Sequence, residues 1–165
     1  MDLAAKKLVD SRSSEGEKLK IALEEIIEKV AKHRTEIEGK RSHIQKQLIS
    51  RLEERVSGII NNLEQSTNIS INKLPEDRLA TEIAILSDKV DIEEELTRLK
   101  AHESEFLKIL ASGNEIGRKL DFLCQEMHRE INTISNKMTH LDVSRLSLEL
   151  KQQVERIRQQ IQNVE

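Results

Sequence analysis

From Leu19 to Leu63, apolar residues recur along the sequence at alternating steps of three and four. The members of this repeat are Leu19, Leu23, Ile26, Val30, Ile37, Ile44, Leu48, Leu52, Val56, Ile59 and Leu63. His33 and Arg41 take the two positions of the repeat where an apolar residue is missing. This spacing keeps one narrow stripe on one side of a helix, and a helix over these positions would be about 65 Å long. Because a helix of that length cannot bury its stripe against itself, the repeat predicts a partner helix, either from later in the chain or from another subunit.

The composition favours long helices and excludes most other classes of fold. Five glycines and one proline occur among 165 residues, aromatic residues make up 1%, and charged residues make up 35%. A β-sandwich or barrel needs turn residues and aromatic or β-branched strands, which this chain lacks. No apolar run approaches the roughly 20 residues of a membrane span, and the N-terminal stretch lacks the apolar core of a signal peptide. With a single cysteine, which suits a reducing compartment, these features predict a protein that is not secreted and does not span a membrane.

Four further amphipathic segments, over 79–90, 92–110, 116–138 and 143–164, also carry apolar residues at steps of three and four. Asp91 is a predicted N-cap, with Glu94 as its capping-box partner, and Gly39 predicts a bend or a break in the first helix near that residue. We therefore expect an all-α helical bundle with a long antiparallel, coiled-coil-like arm. The expected division is an arm over 1–73 and a C-terminal helical domain over 74–165. The weak helix cap at the start predicts that the chain is the C-terminal portion of a longer protein.

The segment 114–138 has an unusual polar face. At 100° per residue, six hydrogen-bonding side chains lie within about 80° of one another, opposite the apolar stripe. They are Arg118, Asp121, Gln125, Arg129, Asn132 and Asn136. Glu126, Glu130, Thr133 and Lys137 flank this face. Solvated helix faces usually carry Glu, Lys and Ala, so the composition indicates either a binding surface or a network at a surface or between subunits.

The preceding helix carries a second polar set, with Glu95, Arg98 and His102 along one flank. A tight hairpin centred near residue 113 would place His102 level with Cys124, beside Asp121 and Gln125. Histidine, carboxylate and guanidinium groups at one level could transfer protons or bind a divalent metal with a phosphate. The same groups could equally form a buried polar network that fixes the register of the two helices.

The overall charge and the absence of common motifs limit the possible chemistry. The net charge is −3, which argues weakly against a nucleic-acid-binding protein unless a local stripe or symmetric assembly concentrates the positive charge. The sequence contains no P-loop, no glycine-rich dinucleotide fingerprint, no zinc-type cysteine spacing and no HExxH motif. We therefore expect no nucleotide cofactor.

Several segments resemble the C-terminal region of the YicC/YloC proteins. The resemblance lies in Asp91-Ile92-Glu93-Glu94-Glu95-Leu96-Thr97-Arg98-Leu99 with His102, in Gly117-Arg118-Lys119-Leu120-Asp121-Phe122-Leu123 with Gln125-Glu126, and in Arg129-Glu130, Asn132-Thr133 and the C-terminal residues. It implies a bacterial cytoplasmic endoribonuclease, formerly catalogued as a stress-induced protein, that forms trimers or hexamers. It also implies cleavage of single-stranded RNA with Mg²⁺ or Mn²⁺ present, and a part in small-RNA and mRNA turnover.

The resemblance also implies roles for individual residues, carried over by position. Those expected to be catalytic are His102, Asp121 and Glu126. Those expected to bind RNA phosphates are Arg98, Arg118, Arg129 and Lys137. Those expected to support the site are Glu95, Gln125 and Asn132. Those expected to ligate the divalent metal are Asp121, Glu126 and Glu130.

Two positions depart from the family pattern, and two alternative functions are also considered. His128 stands where the family usually has Asn, which makes it a poor general base, and Gln159 stands where Glu is usual. The alternative function is a non-catalytic helical scaffold for oligomerisation or RNA binding, in which the polar face joins subunits. A di-metal redox bundle is a third reading, but the chain lacks the paired Glu-x-x-His motifs that it requires.

Overall fold

The computed structural model describes the backbone of residues 2–67, 76–112 and 116–162, and side chains from residue 14 onward except at 52, 59–67, 76–80, 82 and 86. The described residues form five helices and no strand. The helices are α1 (Asp2–Thr67), α2 (Glu76–Val90), α3 (Glu93–Ser112), α4 (Gly117–Lys137) and α5 (Leu141–Gln162). The all-α prediction is confirmed. The predicted boundary between residues 73 and 74 and the centre of the turn near residue 113 lie outside the described residues.

Helix α1 is one continuous element, so the predicted break near Gly39 is absent, and a bend there stays a prediction. Its 66 residues correspond to about 100 Å of helix. Gly39 is exposed, and its flanks Ile37 and Ile44 are both buried in the core. A single glycine costs a helix only about 1 kcal/mol, which the packing of these neighbours outweighs.

Four of the helices close into a ring around one core. Helix α1 packs against α3 and α5, and α4 packs against the same two helices from the opposite side. The buried apolar side chains of α1 are Leu23, Ile26, Ile27, Val30, Ile37 and Ile44, and they belong to the same cluster as those of α3, α4 and α5. The partner that the α1 stripe requires therefore comes from later in the same chain.

The far part of α1 forms an arm with α2. The Gln45 side chain lies 3.4 Å from the backbone oxygen of Ser87, so α2 returns alongside α1 in the opposite direction. The arm then joins α3 through Asp91, whose Oδ1 accepts a hydrogen bond of 3.0 Å from the backbone N–H of Glu93. The predicted cap is thus present, whereas Glu94 pairs with Arg98 one turn further on. Arg41 of α1 contacts Glu93 at 3.1 Å and ties this junction to the long helix.

Candidate functional site

Ion pairs join α3 to α4 along the line where the two helices meet, which is called the groove below. These pairs fix the register of the two helices. The Nζ of Lys137 lies 2.7 Å from Oε1 of Glu95, and Arg98 lies 3.8 Å from Glu130. Both pairs join residues near the start of α3 to residues near the end of α4, as an antiparallel hairpin requires. Four of the side chains predicted to act in the site therefore meet in one groove.

The two carboxylates of this groove are unusually buried for charged groups. The side chains of Glu95 and Glu130 each retain 7% of their accessible surface. One carboxylate oxygen of Glu95, Oε2, is buried without a hydrogen-bond partner. Burial raises the pKa of Glu130 above its ordinary value, and electrostatic interactions with Arg98 and His102 partly offset this effect. A desolvated carboxyl whose pKa is raised is protonated more readily than an exposed one, which suits it to giving and taking a proton.

His102 lies on the α3 side of the same groove, half-buried and close enough to Glu130 to influence its titration. The prediction that His102 would be level with Cys124, beside Asp121 and Gln125, was wrong. The charged groups that act on Cys124 are Asp121, Arg158 and Glu155, all on the α4–α5 side of the bundle. Burial raises the pKa of the Cys124 thiol to about 12, so this cysteine is an apolar filler and not a nucleophile.

Asp121 belongs to the opposite flank of α4, against α5. Its Oδ1 accepts a hydrogen bond of 2.8 Å from Nε of Arg158, and its Oδ2 accepts one of 2.7 Å from Gln125. Because Asp121 and Glu130 are nine residues apart, they lie about 180° apart around the helix. The structure therefore separates Asp121 and Gln125 from the groove that holds His102, Glu95 and Glu130.

Glu126 stays with the groove, whereas His128 lies on the α5 flank. Glu126 is half-buried, and its charge acts on Glu130. His128 lies 3.8 Å from Glu155. Burial lowers the pKa of His128, although Glu155 opposes the shift. His128 and His102 therefore occupy different flanks of the bundle.

The residues expected to ligate a metal do not come together within one chain. Of the side chains that the structure describes, no three histidine, cysteine, aspartate or glutamate residues are close enough to hold an ion. Asp121 is held by Arg158, while Glu130 lies across α4 beside Arg98. The expected ligand set of Asp121, Glu126 and Glu130 therefore does not fit a metal ion in a single chain.

Between the two flanks, the outer face of α4 is open to solvent. The exposed residues on it are Arg118, Phe122, Gln125, Arg129, Asn132 and Asn136. Neither Arg118 nor Arg129 forms an ion pair with any other residue in the described parts of the chain. The predicted polar face is thus present and accessible, and its two arginines are available to an external anion.

The largest polar feature that the sequence interpretation missed is a buried ion pair between α1 and α3. Arg34 and Glu103 retain 7% and 5% of their accessible surface. The sequence contained a signal for both residues, because each takes a position of the apolar repeat. Glu103 lies between Leu99 and Phe106 in that repeat, and Arg34 lies between Val30 and Ile37. The sequence interpretation had placed His33 at that position of the α1 stripe, but His33 lies at its edge, 3.4 Å from Glu149 of α5.

Comparisons with known proteins agree with the resemblance seen in the sequence. The model of a family described as "Endoribonuclease YicC-like, C-terminal" matches residues 37–165. A protein of Clostridioides difficile named "Probable endoribonuclease YicC" is 36% identical over 166 residues, which cover 96% of this chain and 52% of that protein. A protein of Haemophilus influenzae with the same name is 32% identical over 154 residues, which cover 93% of this chain and 50% of that protein. The chain thus spans about half the length of these relatives. None of the helices in the described ranges is long and apolar enough to cross a membrane.

Proposed function

Because the chain belongs to the YicC-like family of endoribonucleases, we propose that it is the helical C-terminal portion of an enzyme that cleaves single-stranded RNA internally. The family expected from the sequence is therefore confirmed. RNA cleavage, a trimeric or hexameric assembly, a cytoplasmic location and a part in small-RNA and mRNA turnover are elements of the proposal. The names of the relatives support the first of these, since both are called probable endoribonucleases.

One observation carries the proposal: the Glu130 side chain is buried between α3 and α4, with Arg98 3.8 Å away and His102 close enough to influence its titration. Buried carboxylates are rare unless a function or a complete hydrogen-bond network retains them. Here the neighbouring Glu95 keeps one oxygen without a partner, so the network is incomplete. A carboxyl and an imidazole near one another provide the two proton carriers that cleavage of a phosphodiester requires.

The proposed roles follow from where each side chain lies. Of His102 and Glu130, one takes the proton from the attacking oxygen and the other gives a proton to the leaving oxygen as the P–O bond breaks. Glu126 lies at the edge of the same groove. Arg98, which is more than half exposed, would contact the scissile phosphate through its planar fork. Lys137 holds Glu95 at 2.7 Å, and this pair positions the start of α3. Arg118 and Arg129 would bind phosphates along the outer face, with Asn132 beside them.

Asp121 takes a different part in this proposal from the one expected from the sequence. It is fixed by Arg158 and Gln125 on the α5 flank, so it would hold the outer face in place and would not contact the reacting phosphate. Dependence on Mg²⁺ or Mn²⁺ is a separate element of the proposal. No step is assigned to a metal ion, because the described residues of one chain do not form a site for it.

The competing function is a non-catalytic scaffold in which the polar face of α4 joins subunits. The two functions differ in what the full-length protein does to a labelled single-stranded RNA. A ribonuclease produces internal fragments on a denaturing gel, and a matched RNA duplex stays intact. Repeating the reaction with EDTA and with added Mn²⁺ tests the metal requirement. Intact single-stranded RNA under all these conditions would favour the scaffold and reject the proposed activity.

A further inference from the structure

Phe122 stands out as an aromatic side chain that the fold leaves in solvent. The chain has two phenylalanines and no tryptophan or tyrosine. Phe106 is completely buried in the core, whereas Phe122 retains 59% of its accessible surface on the outer face of α4. Single exposed apolar residues are common on protein surfaces, and Phe122 is distinguished by the side chains around it.

Phe122 lies between two arginines on the same narrow stripe of α4. Arg118, Phe122, Gln125 and Arg129 fall within about 60° around the helix. Along the axis, Arg118 lies about 6 Å before Phe122 and Arg129 about 10 Å after it. Neither arginine has an ion-pair partner in the described ranges, and Asp121 at the edge of the stripe is already paired with Arg158. Among the described residues, the stripe therefore combines one flat apolar surface with two arginines that no carboxylate pairs with.

We propose that Phe122 is a stacking platform for one base of a single-stranded RNA, with the phosphates on either side bound by Arg118 and Arg129. This inference rests on the proposed function and adds to it the part of the surface that holds the strand. Aromatic side chains stack with every base, while basic side chains follow the backbone, and together they bind single strands with little sequence preference. The two arginines give the stripe a charge complementary to the phosphates of a polyanion.

The absence of tryptophan from the chain provides a direct probe of stacking. In the full-length protein, Phe122→Trp would place an indole on the stripe, and a base that stacks on it should quench its emission. The ligand is a single-stranded oligouridylate, and a denaturing gel run after each titration checks that it is intact. Leu148→Trp is the matched control, because Leu148 is 57% exposed on α5. The emission of tryptophans elsewhere in the full-length protein is measured with the unsubstituted protein and subtracted. We expect quenching at position 122 and none at position 148.

The affinity of the same oligonucleotide tests whether the aromatic surface matters for binding. Phe122→Ala should weaken binding about tenfold, and Phe122→Trp should keep the affinity of the unsubstituted protein. Leu148→Ala should change it less than about twofold. Equal quenching at positions 122 and 148, or an unchanged affinity for Phe122→Ala, would overturn the inference.

Light scattering on the same samples separates RNA stacking from contact with a second copy. If Phe122→Ala dissociates an oligomer while each subunit keeps its RNA affinity, the stripe is a subunit interface and the inference is wrong. If the unsubstituted protein cleaves RNA while Phe122 proves irrelevant to binding, this inference fails and the proposed function stands. If the unsubstituted protein neither binds nor cleaves RNA, both fail.

Discussion

The Nε of Arg34 lies 3.0 Å and 3.1 Å from the two carboxylate oxygens of Glu103, in a pair buried between α1 and α3. Arg34 also contacts Glu38 one turn along α1, at 3.2 Å. Burial raises the pKa of Glu103, and Arg34 opposes this shift. The pair therefore fixes how the long helix meets the hairpin that carries the groove.

Removing one member of this pair should destabilise the protein strongly. Arg34→Ala leaves the Glu103 carboxylate buried without its partner, which costs about 3–5 kcal/mol of unfolding free energy. Chemical denaturation followed by circular dichroism measures the loss. Arg34→Met combined with Glu103→Leu should recover most of it, because apolar residues of similar size replace a buried ion pair at little cost.

A control for this experiment is available on the surface of α3. Glu105→Ala removes an exposed ion pair with Lys108, and it should cost less than about 1 kcal/mol. If Arg34→Ala and Glu105→Ala proved equally mild, the Arg34–Glu103 pair would not determine the packing of α1 against α3.

The outer face of α4 should contribute to RNA binding through charge. Arg129→Gln should reduce the affinity for a single-stranded oligonucleotide and lower the slope of log affinity against log salt by about 0.7, the value for one lost phosphate contact. Arg129 is exposed, so the unfolding free energy should change by less than about 0.5 kcal/mol. Titrations at several salt concentrations measure the slope. Arg145→Gln, at an exposed arginine of α5, is the control, and an equal slope in both variants would contradict the prediction.

Glu130 should make the stability of the protein depend on pH in a defined direction. Burial raises its pKa in the folded state, so the folded protein binds this proton more tightly than the unfolded chain. Its contribution to stability is therefore present at low pH and is lost as the pH rises above about 4.3, where an exposed glutamate ionises. Glu130→Gln removes the titration. The unfolding free energy of the variant relative to the unsubstituted protein should increase from about pH 4 to about pH 8, and a constant difference would contradict the assignment.

His128 should affect stability with the opposite pH dependence. Burial lowers its pKa in the folded state, so the neutral form is favoured and the stabilising contribution is lost as the pH falls below about 6.5. His128→Asn should therefore be more stable than the unsubstituted protein at about pH 5 and nearly equal to it at about pH 8. Thermal unfolding at the two pH values measures the effect, and a larger gain at the higher pH would refute it.

The sequence predicted the helices better than it predicted how they meet. The steps of three and four identified each helix, because a core-facing stripe is a property of one segment alone. The level of His102 against α4 depends instead on the geometry of the connecting turn, whose centre lies outside the described residues. If the register of α3 against α4 changes by a few residues, His102 lies near Glu130 and no longer near Asp121.

Polar residues in the core were the second source of error. Glu103 and Arg34 each occupy a position in the core-facing stripe of their helix. The pattern of one helix cannot show that the partner of such a charged residue lies on another helix. The Asp121–Arg158 pair spans 37 positions and likewise depends on how α5 folds back onto α4. The polar face of α4 was predictable because its residues share one helix, whereas its division between two flanks was not.

Cleavage of a labelled single-stranded RNA by the full-length protein tests the central claim most directly, by comparing His102→Asn with His128→Asn. The two histidines lie on opposite flanks of the bundle, and only His102 is near Glu130 within the described residues. If the groove between α3 and α4 transfers the protons, His102→Asn should lower the cleavage rate by about 10²-fold or more, and His128→Asn should change it less than about twofold. Equal rates for both variants, with folding and assembly intact, would contradict the assignment of the groove as the active site.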